Sequence, residues 1–375
     1  MLGSELTRVN NYLTRVNERA TLLSKMAHAG SLLRNPTMTD VATQSGVSRY
    51  TVSKVLNGSA GVSSTTRERV LETCQKLRFV TNHHAASLAR GNTRFVGLVV
   101  TSIVDPFYGE IIEAAEQSAF TQEHDVAYRC SYGDAERERR IASSFLGLKA
   151  SALIVSPAVS AENLAFWRGI SSQIPVVFID HALLAGSHLV ASDHHAGGRM
   201  VTQHLLERGV SPAYLGSSQP LTNSAIADRQ RGYLDAMAEA GQAPVLIPVD
   251  GLSGLGDTER FGYDALSRYL QSGAAPRRLA GLWCATDSIA VGAMKALVEA
   301  GRHPGEDILV AGHDDLPFSA FLNPPLTTVR QLKGAIGERA MHAAVHLTSL
   351  KDFRKQRKIR EILAPELVPR ASTRR

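Results

Sequence analysis

The sequence predicts an α/β protein in which a small helical unit precedes two lobes, each built on a parallel sheet. Residues 37–81 carry short amphipathic helical patterns separated by a glycine turn. After Gly91 the pattern changes to apolar runs that alternate with amphipathic segments, as in a doubly wound parallel sheet. This alternation starts again after about Asp193, so we expect two sheets of similar size in succession.

The glycine turn lies in the segment from Thr39 to Gly58, which reads TDVATQSGVSRYTVSKVLNG. We expect Thr39 to cap a first helix and Gly46 to end it, because glycine accepts the positive φ of a helix terminus. Ser48 then caps a second helix, which turns inward its apolar residues at i, i+3 and i+4, namely Val52, Val55 and Leu56. The outer face of this second helix carries Arg49, Tyr50, Ser53 and Lys54.

These two helices predict a helix-turn-helix unit, whose second helix is narrow enough to enter the major groove of DNA. Arginine and lysine side chains on that helix can pair with the edges of guanine. A third helix should follow, capped by Ser63 or Ser64, with Val70, Cys74 and Leu77 on its inner face.

The distribution of charge favours a polyanionic partner. The chain has a net charge of +6 and a pI of about 9.3. In the helical unit basic residues outnumber acidic ones. The acidic residues are Asp40, Glu68 and Glu72, and the basic residues are Arg49, Lys54, Arg67, Arg69, Lys76, Arg78 and Arg90. Such a local excess is typical of surfaces that neutralise phosphates.

Cysteine use and hydropathy favour a reducing compartment. The three cysteines, Cys74, Cys130 and Cys284, have no close spacing and support neither a disulfide framework nor a zinc site. The longest apolar run, 95–104, is too short to cross a bilayer, and the first residues lack the pattern of an export signal. We therefore expect a cytoplasmic protein.

The two lobes follow from strand and helix patterns. In the first lobe we predict strands at 95–100, 126–130, 152–155 and 176–179, with helices from about Phe107 and over 134–148. In the second lobe, predicted strands at 213–215, 245–248, 281–284 and 308–312 alternate with helices at 197–207, 228–240, 258–270 and 288–300. Parallel sheets bind ligands at the carboxyl ends of their strands, so we expect a cleft between the lobes.

Residues 1–36 precede these elements as an arm in which LTRVN occurs at 6–10 and again at 13–17. Two heptads are too few for a coiled coil. Two interpretations remain open. In the first, the arm has no function of its own, being either disordered or an extension upstream of a start near Met38. In the second, the arm adds basic DNA contacts through Arg8, Arg15, Arg19 and Lys25.

Residues 39–91 resemble the DNA-binding headpiece and hinge of the LacI/GalR family, the lactose-repressor and purine-repressor family of bacterial transcription regulators. The family pattern is present as a D-V-A start, a G-V-S turn, a T-V-S recognition helix, an L-N-G exit and a V-S-x-x-T-R-E-R-V third helix. More diffuse similarity continues through 105–108, 227–233, 285–290, 312–315 and 324–331. The resemblance implies a bacterial, nucleoid-associated protein.

The resemblance also implies DNA-contacting residues. Arg49, Tyr50 and Lys54 occupy base-reading positions of the recognition helix, and Leu88 occupies the position of a hinge leucine that wedges into the minor groove. Three further residues complete the predicted DNA surface: Ser48, Ser53 and Asn57. The hinge departs from the family pattern at Thr81, where proline is usual, and at Ala86, where a basic residue is common.

Within the lobes, the resemblance implies that Arg229 and Asp287 grip an effector while Phe107 and Tyr108 form an apolar wall. A guanidinium fork and an aromatic wall suit a hydroxylated ligand. The resemblance implies that this ligand is a sugar, a sugar acid or a similar small metabolite. Further candidates are Asn223, Asp180, Asp193 and Gln331. Asp180 and Asp193 end strands, where they could instead cap the following turns. For Asp314 and Asp315 we expect a structural role.

The sequence does not favour catalysis. His181, His188, His194 and His195 lie close together, but no H-E-x-x-H helix or C-x-x-C pair accompanies them. The sequence also has no G-x-S-x-G elbow, Walker loop or G-x-G-x-x-G fingerprint. We therefore expect no catalytic residues, no cofactor and no metal, and we expect that the protein is not an enzyme.

Together these observations predict an α/β protein with a helix-turn-helix headpiece, a hinge helix and two Rossmann-like, periplasmic-binding-protein-like lobes. The predicted domains are an arm (1–36), the headpiece (37–81), the hinge helix and linker (82–92) and an effector-binding and dimerisation domain (93–375). Its first lobe comprises 93–192 and 322–355, and its second 193–321 and 356–375.

The predicted function is that of a homodimeric, effector-controlled repressor that binds a pseudo-palindromic operator in double-stranded DNA. The alternative is a two-lobed sugar-binding protein without a DNA role. The lack of an export signal and the basic headpiece argue against that alternative.

Overall fold

The computed structural model describes residues 35–79, 93–217, 224–249, 258–272 and 279–374. The chain divides into two compact units, Met1–Arg90 and Gly91–Arg375. The first unit contains helices α1 (Met38–Ser45), α2 (Arg49–Leu56) and α3 (Ser64–Leu77). Their inner faces share one small core, made of Val41, Ala42, Val52, Val55, Val70 and Cys74. The predicted helical faces therefore pack as expected, except that Leu56 and Leu77 are only half-buried.

Side-chain caps fix where these helices begin. Thr37, and not Thr39 as predicted, caps α1, because Thr37 and Asp40 exchange hydrogen bonds in a capping box. Gly46 ends α1 with a φ of 66°, in the left-handed region that glycine accepts. Ser48 caps α2 and Ser63 caps α3, each by accepting a hydrogen bond from a backbone N–H of the first turn.

The first lobe of the second unit is built on a parallel sheet of six strands, which are β1 (Phe95–Val100), β2 (Asp125–Cys130), β3 (Ala152–Val155), β4 (Val176–Ile179), β5 (His188–Ser192) and β11 (Arg360–Leu363). They are arranged in the order β11-β5-β4-β3-β1-β2. Its helices are α4 (Pro106–Thr121), α5 (Ala135–Gly147), α6 (Ala161–Ser171) and α11 (Lys333–Ser349).

The second lobe has a parallel sheet of four strands, which are β6 (Pro212–Ser217), β7 (Val245–Val249), β8 (Gly281–Cys284) and β9 (Leu309–Ala311). They are arranged in the order β7-β6-β8-β9. Its helices are α7 (His194–Glu207), α8 (Ala225–Glu239), α9 (Thr258–Gln271) and α10 (Asp287–Glu299). Two short strands, β10 (Thr328–Arg330) and β12 (Glu366–Val368), pair antiparallel in a separate two-stranded sheet.

The strands β1, β3, β4 and β8 have the predicted bounds. The helices α6 and α11 and the strand β5 were not predicted. The prediction that 356–375 belongs entirely to the second lobe is wrong for one strand, β11. Arg360–Leu363 joins the sheet of the first lobe by pairing with β5, which lies far away in sequence. No helix among the described residues is long and apolar enough to span a membrane.

Candidate functional sites

The outer face of α2 carries side chains that the first unit does not use for its own packing. Tyr50 is 71 % exposed and Arg49 is also exposed, whereas Val52 and Val55 on the opposite face are buried. The Nζ atom of Lys54 lies 5.3 Å from the centroid of the Tyr50 ring, in a cation–π contact. This face therefore presents two cationic side chains and one aromatic ring on one short helix.

The other predicted DNA contacts on α2 lie at its ends. The Oγ atom of Ser48 accepts a hydrogen bond from the N–H of Thr51 at 3.1 Å, and the side-chain amide of Asn57 donates to Ser53 Oγ at 3.2 Å. Ser48 and Asn57 are exposed and Ser53 is half-buried. The predicted hinge residue Leu88 lies outside the described residues.

Arg67 was predicted as part of the basic surface, but the first unit uses it internally. Its guanidinium donates to the carbonyl oxygens of Val55 at 3.2 Å and Ser59 at 2.9 Å. These carbonyls lie at the carboxyl end of α2, where a positive charge is favoured by the helix dipole. Arg67 therefore holds the end of α2 against α3.

In the second unit, a cavity of about 350 Å³ lies between the two lobes. It is bordered by the carboxyl ends of β1, β3, β4, β8 and β9, which is where parallel sheets place ligands. The polar and aromatic residues of its wall include Thr101, Asp105, Phe107, Tyr108, Asp180, His181, Arg229, Phe261, Thr286, Ser288 and Asp314. Four residues predicted for an effector site are therefore brought together: Phe107, Tyr108, Asp180 and Arg229.

Phe107 and Tyr108 form the aromatic part of the wall at the start of α4. Their ring centroids lie 5.0 Å apart at an angle of 81°, in edge-to-face contact. The Tyr108 hydroxyl makes hydrogen bonds with Ser156 Oγ at 2.9 Å and Thr101 Oγ1 at 3.2 Å. Both rings are largely buried, so only a limited part of each faces the cavity.

Among the residues that the structure describes, Arg229 is the one arginine of the wall, and it is buried with 4 % exposure. Its Nη2 lies 3.0 Å from Asp314 Oδ1, and its Nη1 donates to the carbonyl of Ala285 at 2.7 Å. Its Nε has no hydrogen-bond partner within the described parts of the chain. Gln331, also predicted as a contact, donates to Asp314 Oδ1 at 2.6 Å and stands behind that carboxylate instead of on the wall.

Asp180 is held by two histidines. Its Oδ1 lies 3.2 Å from His194 Nε2, and its Oδ2 lies 3.3 Å from His181 Nδ1. Burial alone would raise the pKa of Asp180, but the hydrogen bonds from His181 and His194 lower it well below its usual range. The backbone of Asp180 has a φ of 68°, which is rare for a residue other than glycine and is typical of functional sites.

Asp287 is placed differently from the prediction. It is fully buried, and its carboxylate accepts hydrogen bonds from the N–H of Leu316 and from the hydroxyls of Ser319 and Thr328. Burial, together with the charge of Asp314, raises the pKa of Asp287 to about 7. Its carboxylate thus holds the chain that follows β9 and does not reach the cavity wall, which its neighbours Thr286 and Ser288 line.

A third predicted contact, Asp193, is also absent from the described wall. Asp193 caps α7, where its Oδ1 accepts from the N–H of Ala196 at 2.9 Å, so the capping alternative fits this residue. Asn223 lies outside the described residues. Within the described ranges there is no group of three or more histidine, cysteine or acidic residues arranged to hold a metal ion.

Sequence reasoning missed two acidic residues of the wall. Asp105 precedes α4 and accepts a hydrogen bond from the N–H of Phe107 at 3.0 Å. Asp314 follows β9 and pairs with Arg229. Both come after a strand whose carboxyl end faces the cavity, so the strand pattern contained a usable signal. The side chain of Asp105 is exposed as a whole, but the residues around its carboxyl exclude part of the solvent, and this desolvation, together with the charge of Asp314, raises the pKa of Asp105 to about 6.

Comparisons with known proteins agree with this arrangement. Residues 37–82 match the family of bacterial regulatory proteins, lacI family, and residues 202–373 match the periplasmic binding protein-like domain. The ribose operon repressor of Escherichia coli (strain K12) is 31 % identical over 326 residues, covering 86 % of this chain and 96 % of the relative. The transcriptional regulator GalR of the same strain is 32 % identical over 340 residues, covering 90 % and 95 %.

A solved structure shares the fold over most of the chain. The crystal structure of the Lac repressor dimer bound to operator and the anti-inducer ONPF matches with a TM-score of 0.78 and 25 % identity. The match covers 91 % of this chain and 100 % of that chain.

Proposed function

The chain belongs to the LacI family of bacterial regulatory proteins, and from this membership we propose that it is a homodimeric transcriptional repressor. In this proposal, α2 reads an operator, and a small hydroxylated molecule in the cavity between the lobes sets the affinity for that operator. The observation that carries the proposal is that one chain combines an exposed, cationic α2 face with a polar, partly aromatic cavity.

The DNA-binding half of the proposal rests on Arg49, Tyr50 and Lys54. These side chains extend from a helix that is short and narrow enough for the major groove. They make few contacts with the rest of the first unit. Arg49 and Lys54 can pair with guanine O6 and N7, while Tyr50 offers both a ring and a hydroxyl. A dimer would place two such helices on the two half-sites of a pseudo-palindrome. The similar solved structure is likewise a dimer, the Lac repressor dimer, and it is bound to operator.

The effector half of the proposal rests on the cavity wall. Asp105, Asp180 and Arg229 present charged groups that can exchange hydrogen bonds with hydroxyls, and Phe107 and Tyr108 offer apolar contact to a ring. Thr286 and Ser288 add hydroxyls from the second lobe. Such a mixture of polar and aromatic groups suits a carbohydrate-like molecule.

We propose that the effector favours one arrangement of the two lobes over another, and that operator affinity differs between these arrangements. A ligand can shift DNA affinity only by its own preference for one state, which typically amounts to about 1–3 kcal/mol. Asp287 acts indirectly in this scheme, because it ties α10 of the second lobe to the segment after β9.

Recovery of genomic DNA fragments by the purified protein tests the proposal. We expect enrichment of a small set of fragments that share a pseudo-palindromic sequence, with weaker enrichment by Arg49→Ala. The genes beside these fragments would indicate the regulated pathway. If the wild-type protein retains all fragments equally, or none, the proposal fails, and a two-lobed sugar-binding protein without a DNA role becomes the better interpretation.

A further inference from the structure

We propose that the cavity accepts an uncharged, polyhydroxylated molecule and rejects sugar acids and sugar phosphates, an inference that rests on the proposed effector site. The argument comes from the balance of charge on the wall. The carboxylates of Asp105, Asp180 and Asp314 line the cavity, and Arg229 is the one arginine among the described residues that does so.

The positive charge of Arg229 is already matched within the protein. Its Nη2 pairs with Asp314 at 3.0 Å and its Nη1 donates to Ala285 at 2.7 Å, while the side chain as a whole is 4 % exposed. An anion that used the two Nη atoms would have to displace Asp314 and leave its carboxylate buried without a counter-charge, which is strongly unfavourable. The unpartnered Nε of Arg229 offers one donor, which suits a hydroxyl better than a bidentate anion.

No lysine or arginine other than Arg229 lines the described wall, and the nearest buried lysine is already bonded. Lys333 is 3 % exposed, and its Nζ donates to the carbonyls of Asp314 and Asp315 and lies 3.1 Å from a carboxylate oxygen of Glu110. The segments that follow β6 and β7 in the sequence, 218–223 and 250–257, contain no lysine or arginine. Neither the described wall nor these segments can therefore supply a free positive charge to an anionic ligand.

The wall instead offers hydrogen-bond acceptors to hydroxyl groups. Asp105 is exposed, and Asp180 is kept ionised by its histidine partners. The Nε2 atom of His181 is buried at the wall and has no partner among the residues that the structure describes. A hydroxyl can donate to either carboxylate and bond to His181 Nε2, whereas a ligand carboxylate or phosphate would meet the like charges of Asp105 and Asp180.

Matched neutral and anionic sugars test this proposal on the full-length protein by isothermal titration calorimetry and thermal shift. The pairs are glucose and glucuronate, galactose and galacturonate, and ribose and ribose 5-phosphate. A metabolite extract of the source bacterium, separated on an anion exchanger into unretained and retained fractions, extends the test. We expect neutral members and the unretained fraction to stabilise the protein, with each anionic partner binding at least about tenfold more weakly.

An anionic member that binds as tightly as its neutral partner, or stabilisation by the retained fraction alone, would overturn the inference while leaving effector control intact. If neither fraction stabilises the protein nor changes its DNA binding, the proposed effector control itself fails, and the inference fails with it. The two failures are therefore distinguishable.

A charge-removing variant sharpens the test. Asp105→Asn should reduce the preference for neutral over anionic members by about three- to tenfold, because one of the two carboxylates that an anionic ligand would meet is lost. Glu116→Gln removes the same charge from the exposed face of α4, outside the cavity wall, and should leave the preference unchanged. An unchanged preference in Asp105→Asn would mean that wall charge does not select the ligand, contrary to the inference.

Discussion

The outer face of α2 and the wall of the cavity are both polar, but they differ in how far their side chains are bonded to the rest of the protein. On α2, Arg49 and Tyr50 are exposed and contribute little to the folding of the first unit. On the cavity wall, Arg229 and Asp180 are buried and bonded to other side chains and to backbone. Substitutions on α2 should therefore change DNA affinity without changing the free energy of unfolding. Substitutions of these buried cavity residues should change both ligand binding and the free energy of unfolding.

The largest effect is expected for Arg229→Ala. This change leaves the buried carboxylate of Asp314 without its counter-charge, so the free energy of unfolding of the second unit should fall by about 3–5 kcal/mol. Urea denaturation followed by circular dichroism measures this change. Arg231→Ala, on the exposed side of α8, serves as the control and should cost less than about 0.5 kcal/mol. If both variants are equally stable, the ion pair of Arg229 does not support the cavity.

The next effect concerns DNA. Arg49→Ala and Lys54→Ala should each weaken binding to the selected operator by about 1–3 kcal/mol and leave unfolding unchanged. Fluorescence anisotropy with operator and with random duplex measures both affinities. Equal losses on the two DNAs would show that these side chains contact phosphates only, and a loss of stability would contradict the contrast between α2 and the cavity.

A smaller effect should appear in the dependence of stability on pH. The pKa of Asp287 is raised to about 7, so between about pH 4 and pH 7 the folded protein keeps a proton that the unfolded chain has released. This group should therefore reduce the free energy of unfolding by about 1.4 kcal/mol for each unit that the pH rises in this interval. Urea denaturation at several pH values should give a shallower slope for Asp287→Asn. An unchanged slope would contradict the assignment.

The smallest effect is expected at the amino end of α2. Ser48→Ala removes the cap on the N–H of Thr51 and should destabilise the first unit by about 1 kcal/mol, whereas Ser48→Asn should preserve most of the stability. Operator affinity of the two variants, measured beside their thermal stability, shows whether Ser48 has a DNA contact as well. Should Asn restore stability but not operator affinity, Ser48 also contacts DNA.

The first unit could be predicted closely from the sequence because its signals are local. Gly46, Ser48 and the spacing of Val52 and Val55 fix the turn, the cap and the inner face of α2 within a few residues. The internal use of Arg67 could not be predicted, because its partners Val55 and Ser59 lie on the preceding helix and the turn after it.

The cavity was harder to predict because its chemistry depends on contacts between distant parts of the chain. The resemblance predicted Arg229 as an effector contact, whereas its partner Asp314 was expected to be structural. Asp287 was expected to contact the effector, and instead its oxygens are occupied by groups from a later segment. The pairing of β11 with β5 could not be predicted for the same reason. It joins distant parts of the chain, and no local pattern in 360–363 identifies the neighbouring strand.

The most direct test of the account is a competition between the recovered operator and a scrambled duplex for the full-length protein at moderate salt. If α2 reads base edges, the operator should bind about a thousandfold or more tightly than the scrambled duplex, and Arg49→Ala should reduce this ratio by about 5- to 150-fold. Equal binding of the two duplexes by the wild-type protein would contradict the claim that α2 recognises a DNA sequence.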